Sequence, residues 1–218
     1  MSETILHRTQ APEIAGTLLA IDTSMGTSVA LGSGGRIIEV VSDDPRGHAE
    51  VVGSLIARVL EEFDVPPANV DAVVAGIGPG PFTGLRVGIA AARAFALGQG
   101  ASVLSLVSHD AIALSRLSRA GERLRVIQDA KRRELFVTEY DGFDAAGVPV
   151  RTVDPHLIAA VDYVEGALDL RPLRVSASDL LRLAARKLAV GQAFDPDRAL
   201  YLRLPDVLES AAPKRVTP

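Results

Sequence analysis

The stretch Gly76-Ile77-Gly78-Pro79-Gly80-Pro81-Phe82-Thr83-Gly84-Leu85-Arg86-Val87-Gly88 constrains the fold more than any other part of the chain. Before it, Asp71-Ala72-Val73-Val74-Ala75 is a short apolar run of the kind that fills a strand covered on both faces. After it, residues 85–97 read as a helix in which Gly84, Gly88 and Ala92 recur every fourth position and make one smooth face. Each interior glycine costs a helix roughly 1 kcal/mol, so a face of this kind implies that another backbone comes close. Thr83 is the expected N-cap, and the amides of Gly84, Leu85 and Arg86 are placed where unpaired N–H groups and the helix dipole hold an anion. Glycine-rich turns also join a strand to a helix without any ligand. No lysine follows in the Walker arrangement, which excludes a P-loop.

The rest of the pattern places this turn inside an α/β fold. Strands at 18–22, 28–31 and 36–41 are joined by short turns, the second through Gly32-Ser33-Gly34-Gly35, and predict an antiparallel meander. A helix at 48–63, a buried strand at 72–77, the helix at 85–97 and a strand at 102–106 complete a ribonuclease H-like order with helices on both faces of a mixed sheet. The pattern then begins again. Val126-Ile127-Gln128-Asp129 followed by Leu135-Phe136-Val137 parallels Ala20-Ile21-Asp22 followed by Val29-Ala30-Leu31. Two duplicated lobes are therefore expected, over 17–108 and 109–207, linked by a helix at 111–118. Tails are expected at 1–16, flexible, and at 208–218. The second lobe reads as reduced, with a short helix at 162–168, a strand at 173–175 and a helix at 178–190.

Five segments in order resemble the TsaB (YeaZ) family. They are Leu19-Ala20-Ile21-Asp22-Thr23-Ser24, Gly47-His48-Ala49-Glu50, the Gly-Pro-Phe-Thr-Gly-Leu-Arg turn at 80–86, Gln128-Asp129-Ala130-Lys131-Arg132-Arg133-Glu134-Leu135-Phe136, and Leu200-Tyr201-Leu202-Arg203-Leu204-Pro205-Asp206-Val207. Pro81 stands where the family usually has serine. The resemblance implies the actin-like ATPase (ASKHA) fold. It also implies a role in making threonylcarbamoyladenosine beside the anticodon of tRNA, as a non-catalytic partner of the TsaD-type catalytic subunit together with the small ATPase TsaE. On this reading the chain has no cofactor of its own, ATP and metal belong to partner subunits, and tRNA is met only through the complex. The turn residues Pro79, Gly80, Thr83, Gly84, Leu85 and Arg86 become a possible anion or composite nucleotide site at a subunit junction.

The residues themselves weigh against chemistry in this chain. Asp22, Thr23 and Ser24 end the first strand, where catalytic relatives of the actin-like superfamily place a carboxylate near metal and hydroxyls near phosphates. A live ATP site needs a matching hairpin, and here it reads Ala130-Lys131-Arg132-Arg133, bulky and charged, in a half of the chain poor in glycine. Asp22 is therefore expected as a turn former that accepts backbone N–H groups. His7, His48, His109 and His156 are widely spaced, with no HxxxH or HExxH pair, so no metal site is expected. Adjacent Ser108 and His109 point in different directions and make no nucleophilic dyad. Lys131, Arg132 and Arg133 read as a solvated basic hairpin beside Glu134, with a basic edge for tRNA or nucleotide as the alternative. Arg86 is a candidate for a bidentate pair with a partner. The competing function is a small actin-like ATPase or kinase with a phosphate site at 78–86.

Composition bounds the partners. The chain has 218 residues, no cysteine and a net charge of −4, which argues against holding tRNA unaided, since phosphate contacts need a basic face. Residues 1–16 are polar, and no run reaches the roughly 18 residues of a membrane span, so a cytoplasmic protein is the expectation. The helix at 48–63 carries Val51, Val52, Leu55, Ile56, Val59, Leu60 and Phe63, more apolar surface than one sheet consumes. Beside it the alanine-rich helix at 85–97 permits close packing, so two such pairs can join as a four-helix bundle. In the family this pair of helices joins TsaB to TsaD, and a homodimer can use the same surface. The expected interface residues are His48, Val52, Leu55, Ile56, Val59, Gly88, Ala92 and Phe95.

Overall fold

Two mixed sheets share the layer formed by two helices, and two further helices cover the other face of the first sheet. The structure is a computed structural model and describes residues 4–42, 44, 47–119 and 121–203. The first sheet has the order β1-β4-β3-β2-β5-β6. Strands β1 (Thr4–Gln10), β4 (Arg36–Ser42), β3 (Thr27–Ser33) and β2 (Leu18–Asp22) run antiparallel to their neighbours. Strands β5 (Ala72–Gly76) and β6 (Ser102–Leu106) continue the sheet in parallel from β2. Every residue of β2 and β5 is buried, as their unbroken apolar runs require.

Period-two alternation sorts those residues onto two faces. Leu19, Ile21, Val73 and Ala75 pack under α1 (His48–Phe63) and α2 (Phe82–Gln99). Leu18, Ala20, Ala72 and Val74 pack under α3 (Ser108–Arg116) and α4 (Ala177–Ala189). The second core also takes in Val126 and Tyr140 of the other sheet, whose order is β10-β7-β8-β9. Its strands are β7 (Arg123–Lys131), β8 (Glu134–Phe143), β9 (Pro149–Ala159) and the two-residue β10 (Asp169–Leu170). Only β10 is parallel to its neighbour, β7.

A buried carboxylate fixes α4 on the first sheet. Glu39 of β4 accepts the Ser28 hydroxyl of β3 at 2.6 Å, the Ala177 amide at 2.7 Å, and the Ser178 and Ser176 hydroxyls at 2.9 and 3.1 Å. A negative charge at a helix N-terminus satisfies amides that have no intrahelical partner and complements the dipole. Ser176, the N-cap, in turn accepts from the Asp179 amide. After α4 the chain runs back along the open edge of β6. The Asp195 and Leu200 amides donate to Ser105 O and Ile77 O, and Arg151 of β9 bridges Asp195 at 2.7 Å and Asp110 at 3.3 Å.

Several expectations need correction. Thr4–Gln10 is not a flexible tail. It pairs in continuous register with β4, and Arg8 forms an ion pair with Glu62 of α1. The division at 108 does not separate two cores, because α4 lies in the later half of the sequence and covers the earlier sheet. No helix forms at 162–168, where turns close instead and the Asp169 carboxylate accepts the Gly166 amide at 2.9 Å. The strand expected at 173–175 falls at Asp169–Leu170, and β9 has no counterpart in the sequence reading. Strand β9 contains Pro149 and Pro155, which hide a strand signal yet are tolerated on a sheet edge. Leu204 to Val207 of the last family-like segment, and the tail at 208–218, lie outside the described residues.

Replacing Glu39 by Ala removes the acceptor of four donors, one on β3 and three at the start of α4. Urea unfolding of Glu39→Ala is expected to show a loss of about 3 kcal/mol, with Glu39→Gln recovering part of it.

Candidate functional site

The end of β2 and the glycine-rich turn are built against each other. Thr23 Oγ1 donates to Gly84 O at 2.7 Å and accepts the Gly88 amide at 3.0 Å. A Cβ at Gly84 would stand 2.6 Å from Thr23 O, and one at Gly88 would collide with Thr23 Oγ1. The smooth helix face anticipated from the sequence is therefore the seat of this chain's own Asp22-Thr23-Ser24 loop. The helix begins at Phe82 with Pro81 as N-cap and no side-chain cap, so Thr83 is exposed and does not fill the expected role. Leu85 and Gly84 are buried and the Leu85 amide already bonds Pro81 O at 3.0 Å, which removes it from the proposed anion cradle. The Gly78–Pro79 peptide is cis.

Asp22 is a turn former, as the sequence suggested. Its Oδ1 accepts the Ser24 amide at 2.8 Å and the Ser24 hydroxyl at 2.6 Å, and its Oδ2 accepts the Ser108 hydroxyl at 2.5 Å. Ser108 Oγ also accepts the Gly78 amide at 3.1 Å. Burial raises the Asp22 carboxyl above its ordinary range, and the Ser108 and Ser24 hydrogen bonds only partly oppose it. Both oxygens of this enclosed carboxyl thus accept from protein donors.

His109 points away from Ser108 into a second buried relay. Gln128 donates through Nε2 to Ser24 O at 3.1 Å, so its Oε1 must accept from His109 Nε2 at 3.0 Å, and Thr138 Oγ1 then donates to His109 Nδ1 at 2.7 Å. The imidazole is neutral in this arrangement. The relay joins β8, α3 and β7 to the loop after β2, and sequence reasoning did not foresee it. His48 is half-buried, with Nδ1 2.8 Å from Thr27 Oγ1.

The hairpin between β7 and β8 carries three consecutive non-glycine residues in the left-handed region, Lys131, Arg132 and Arg133, at φ 64, 53 and 60°. Each costs roughly 1–2 kcal/mol. Asp129 Oδ1 holds the turn by accepting the Lys131 amide at 2.8 Å, and Arg203 donates to Lys131 O at 3.0 Å and pairs with Glu134. A cleft of about 810 Å³ opens between this hairpin, the Ser24-Met25-Gly26 loop and the start of α4. Arg86 is exposed. Its guanidinium lies 5.1 Å from the Phe82 ring centre instead of reaching for a carboxylate.

Of the eight candidate interface residues, Val52, Leu55, Val59, Gly88 and Ala92 are buried against the sheet, while His48, Ile56 and Phe95 are half-buried. The outward face of the same two helices carries Gly53, Ala57, Ala90, Ala94 and Leu97, the last 86 % exposed. Among the described residues no group of three His, Asp or Glu side chains converges as a metal site, and no helix is long and apolar enough to cross a membrane.

The fold and this turn define the class, an α/β protein of the TsaD and YeaZ type. Residues 37–196 match the family described as TsaD, tRNA N6-adenosine threonylcarbamoyltransferase. An uncharacterised Mycobacterium tuberculosis protein is 39 % identical over 156 residues, 69 % of this chain and 68 % of that one. The Escherichia coli tRNA threonylcarbamoyladenosine biosynthesis protein TsaB is 30 % identical over 125 residues, covering 56 % of this chain and about half, 54 %, of that protein. YeaZ from Pseudomonas aeruginosa superposes with a TM-score of 0.74 at 26 % identity, over 86 % of this chain and 100 % of that one. The chain belongs to this family and to its TsaB (YeaZ) branch.

The buried relay sets a pH signature. Burial lowers the His109 pKa from 6.5 to about 4. The folded chain therefore binds fewer protons there than the unfolded one, and the stability His109 contributes is full above 6.5 and falls by roughly 3 kcal/mol as pH drops towards 4. Asp110 and Asp179 act in the opposite sense, since burial raises their carboxyls to about 7 and about 6. The effect is thus read at the ring itself. The His109 Hε1 NMR signal should stay at its neutral position from pH 7.5 to 5, and a midpoint near 6.5 would refute the relay.

Proposed function

We propose that this chain is a non-catalytic subunit of the bacterial complex that makes threonylcarbamoyladenosine in tRNA, and that it docks a TsaD-type catalytic subunit through the outward face of α1 and α2. The kinship with TsaB supports the pathway. The observation that carries the docking mode is the exposed run of small and apolar residues, Gly53 and Ala57 on α1 with Ala90, Ala94 and Leu97 on α2. Small side chains let a second pair of helices approach closely, and an 86 % exposed leucine gains by being covered. The docking residues move outward from those first expected, because Leu55 and Ala92 already belong to the core.

In this reading the second sheet is a worn copy of the first lobe, kept for rigidity rather than for nucleotide chemistry. Asp22 supports the non-catalytic role, since its oxygens are spent on Ser24 and Ser108. ATP and metal belong to the TsaD-type and TsaE-type subunits, and the setting is the cytoplasm. In free chains the same helix face serves a homodimer.

The test is co-elution with the TsaD-type subunit of the same organism. Ala94→Glu and Leu97→Glu should keep the wild-type melting temperature and weaken association at least about tenfold, because each places a charge in a dry interface. Leu55→Glu should instead fail to fold. Normal association of both outer-face variants would move the interface elsewhere.

A further inference from the structure

We propose that the cleft between the two sheets docks an acidic segment of a partner protein, one that carries a leucine-type side chain beside its carboxylates. The cleft, about 810 Å³, falls within the range of roughly 300–1,000 Å³ over which pockets bury a compact ligand. None of the outward residues of α1 and α2 lines it, so the two surfaces can be occupied together.

Its charge points to the partner. The chain is acidic overall, at −4, yet four cations line this cleft. Lys131 and Arg171 are already paired, with Asp129 and Glu165. Arg116, at the end of α3, and Arg174, just after β10, are exposed, and among the described residues their side chains have neither an ion pair nor a hydrogen bond. The carboxylates on the wall are matched from within the chain, Asp129 by Lys131 and Asp179 by Ser115 and by Arg182 and Arg186 of its own helix. The unpaired charge left over is positive. A guanidinium suits a carboxylate, because its planar fork meets both oxygens.

The wall beside these arginines is apolar. Leu173, next to Arg174, is 97 % exposed, the most exposed large apolar side chain among the described residues, and half-buried Pro172 and Met25 extend the surface. A strand of nucleic acid would meet the arginines and leave the leucine bare: no Phe, Tyr or Trp among the described residues lines the cleft for a base to stack on, and the Ser24 amide is spent on Asp22. A purely apolar segment would leave the arginines unpaired. An acidic segment with a leucine satisfies both, in the mode by which arginine clusters read acidic motifs.

The test uses the full chain and a fluorescein-labelled peptide, Glu-Asp-Leu-Glu-Asp-Leu with blocked ends, read by anisotropy at low salt. Binding is expected, weakened about tenfold by Arg174→Glu and about fivefold by Leu173→Ser or by serine in place of both leucines of the peptide. Leu173→Ser should cost the serine peptide nothing further, since the two changes remove the same contact. Leu173 and Arg174 are exposed, so both variants keep the wild-type melting temperature. Arg123→Glu, an equal charge change at the far end of β7, should leave binding unchanged. Hexa-adenylate RNA that binds as tightly as the peptide, self-association of the chain that Leu173→Ser abolishes, or peptide binding that survives both variants in the folded protein each overturns the proposal. So does the lack of binding at millimolar peptide. These readings involve no partner subunit, so their failure leaves the docking through α1 and α2 standing.

Discussion

The contact on which most of the molecule depends is the one between Thr23 and the glycine face of α2. A single hydroxyl bonds both Gly84 O and the Gly88 amide, so the helix sits against the loop after β2 with only the Thr23 side chain between them. That closeness brings the turn after β5 beside Asp22, whose carboxyl then reaches Ser108 at the start of α3. Strand β2, the turn, α2 and α3 are thereby locked at one point, and glycine is the only residue type that leaves room for it.

A second anchor works on the opposite face. Glu39 draws the N-terminus of α4 onto the first sheet, although more than a hundred residues of chain separate the two. Hydrogen bonds to a charged group are the stronger ones, and a buried carboxylate surrounded by donors tolerates no alternative register. This contact, with the Gln128–His109–Thr138 relay, is why the later half of the chain does not form an independent body. The two halves share one apolar core across α3 and α4.

These anchors also govern what the protein can do. The Asp22 carboxyl holds the loop after β2 to the start of α3, and the Gly88 amide of α2 meets Thr23. The outward face of α1 and α2, with its small residues and Leu97, stays exposed.

Much of this was legible in the sequence. The apolar runs of β2 and β5, the helical spacing in α1 and α2, the meander and the turn-forming role of Asp22 follow from period and residue type alone, since each is decided within a few residues. Glu39 was not singled out in the sequence, and its partners on α4 lie too far along the chain for the local pattern of Ile37-Ile38-Glu39-Val40-Val41 to show them. Which of Val52, Leu55, Ile56 and Ala57 face the sheet, that β1 and β9 are strands at all, and that Tyr201 meets Phe82 were settled only in three dimensions. The physical reason is that burial and pairing at those positions are supplied by residues far away in the chain, so local pattern carries no record of them.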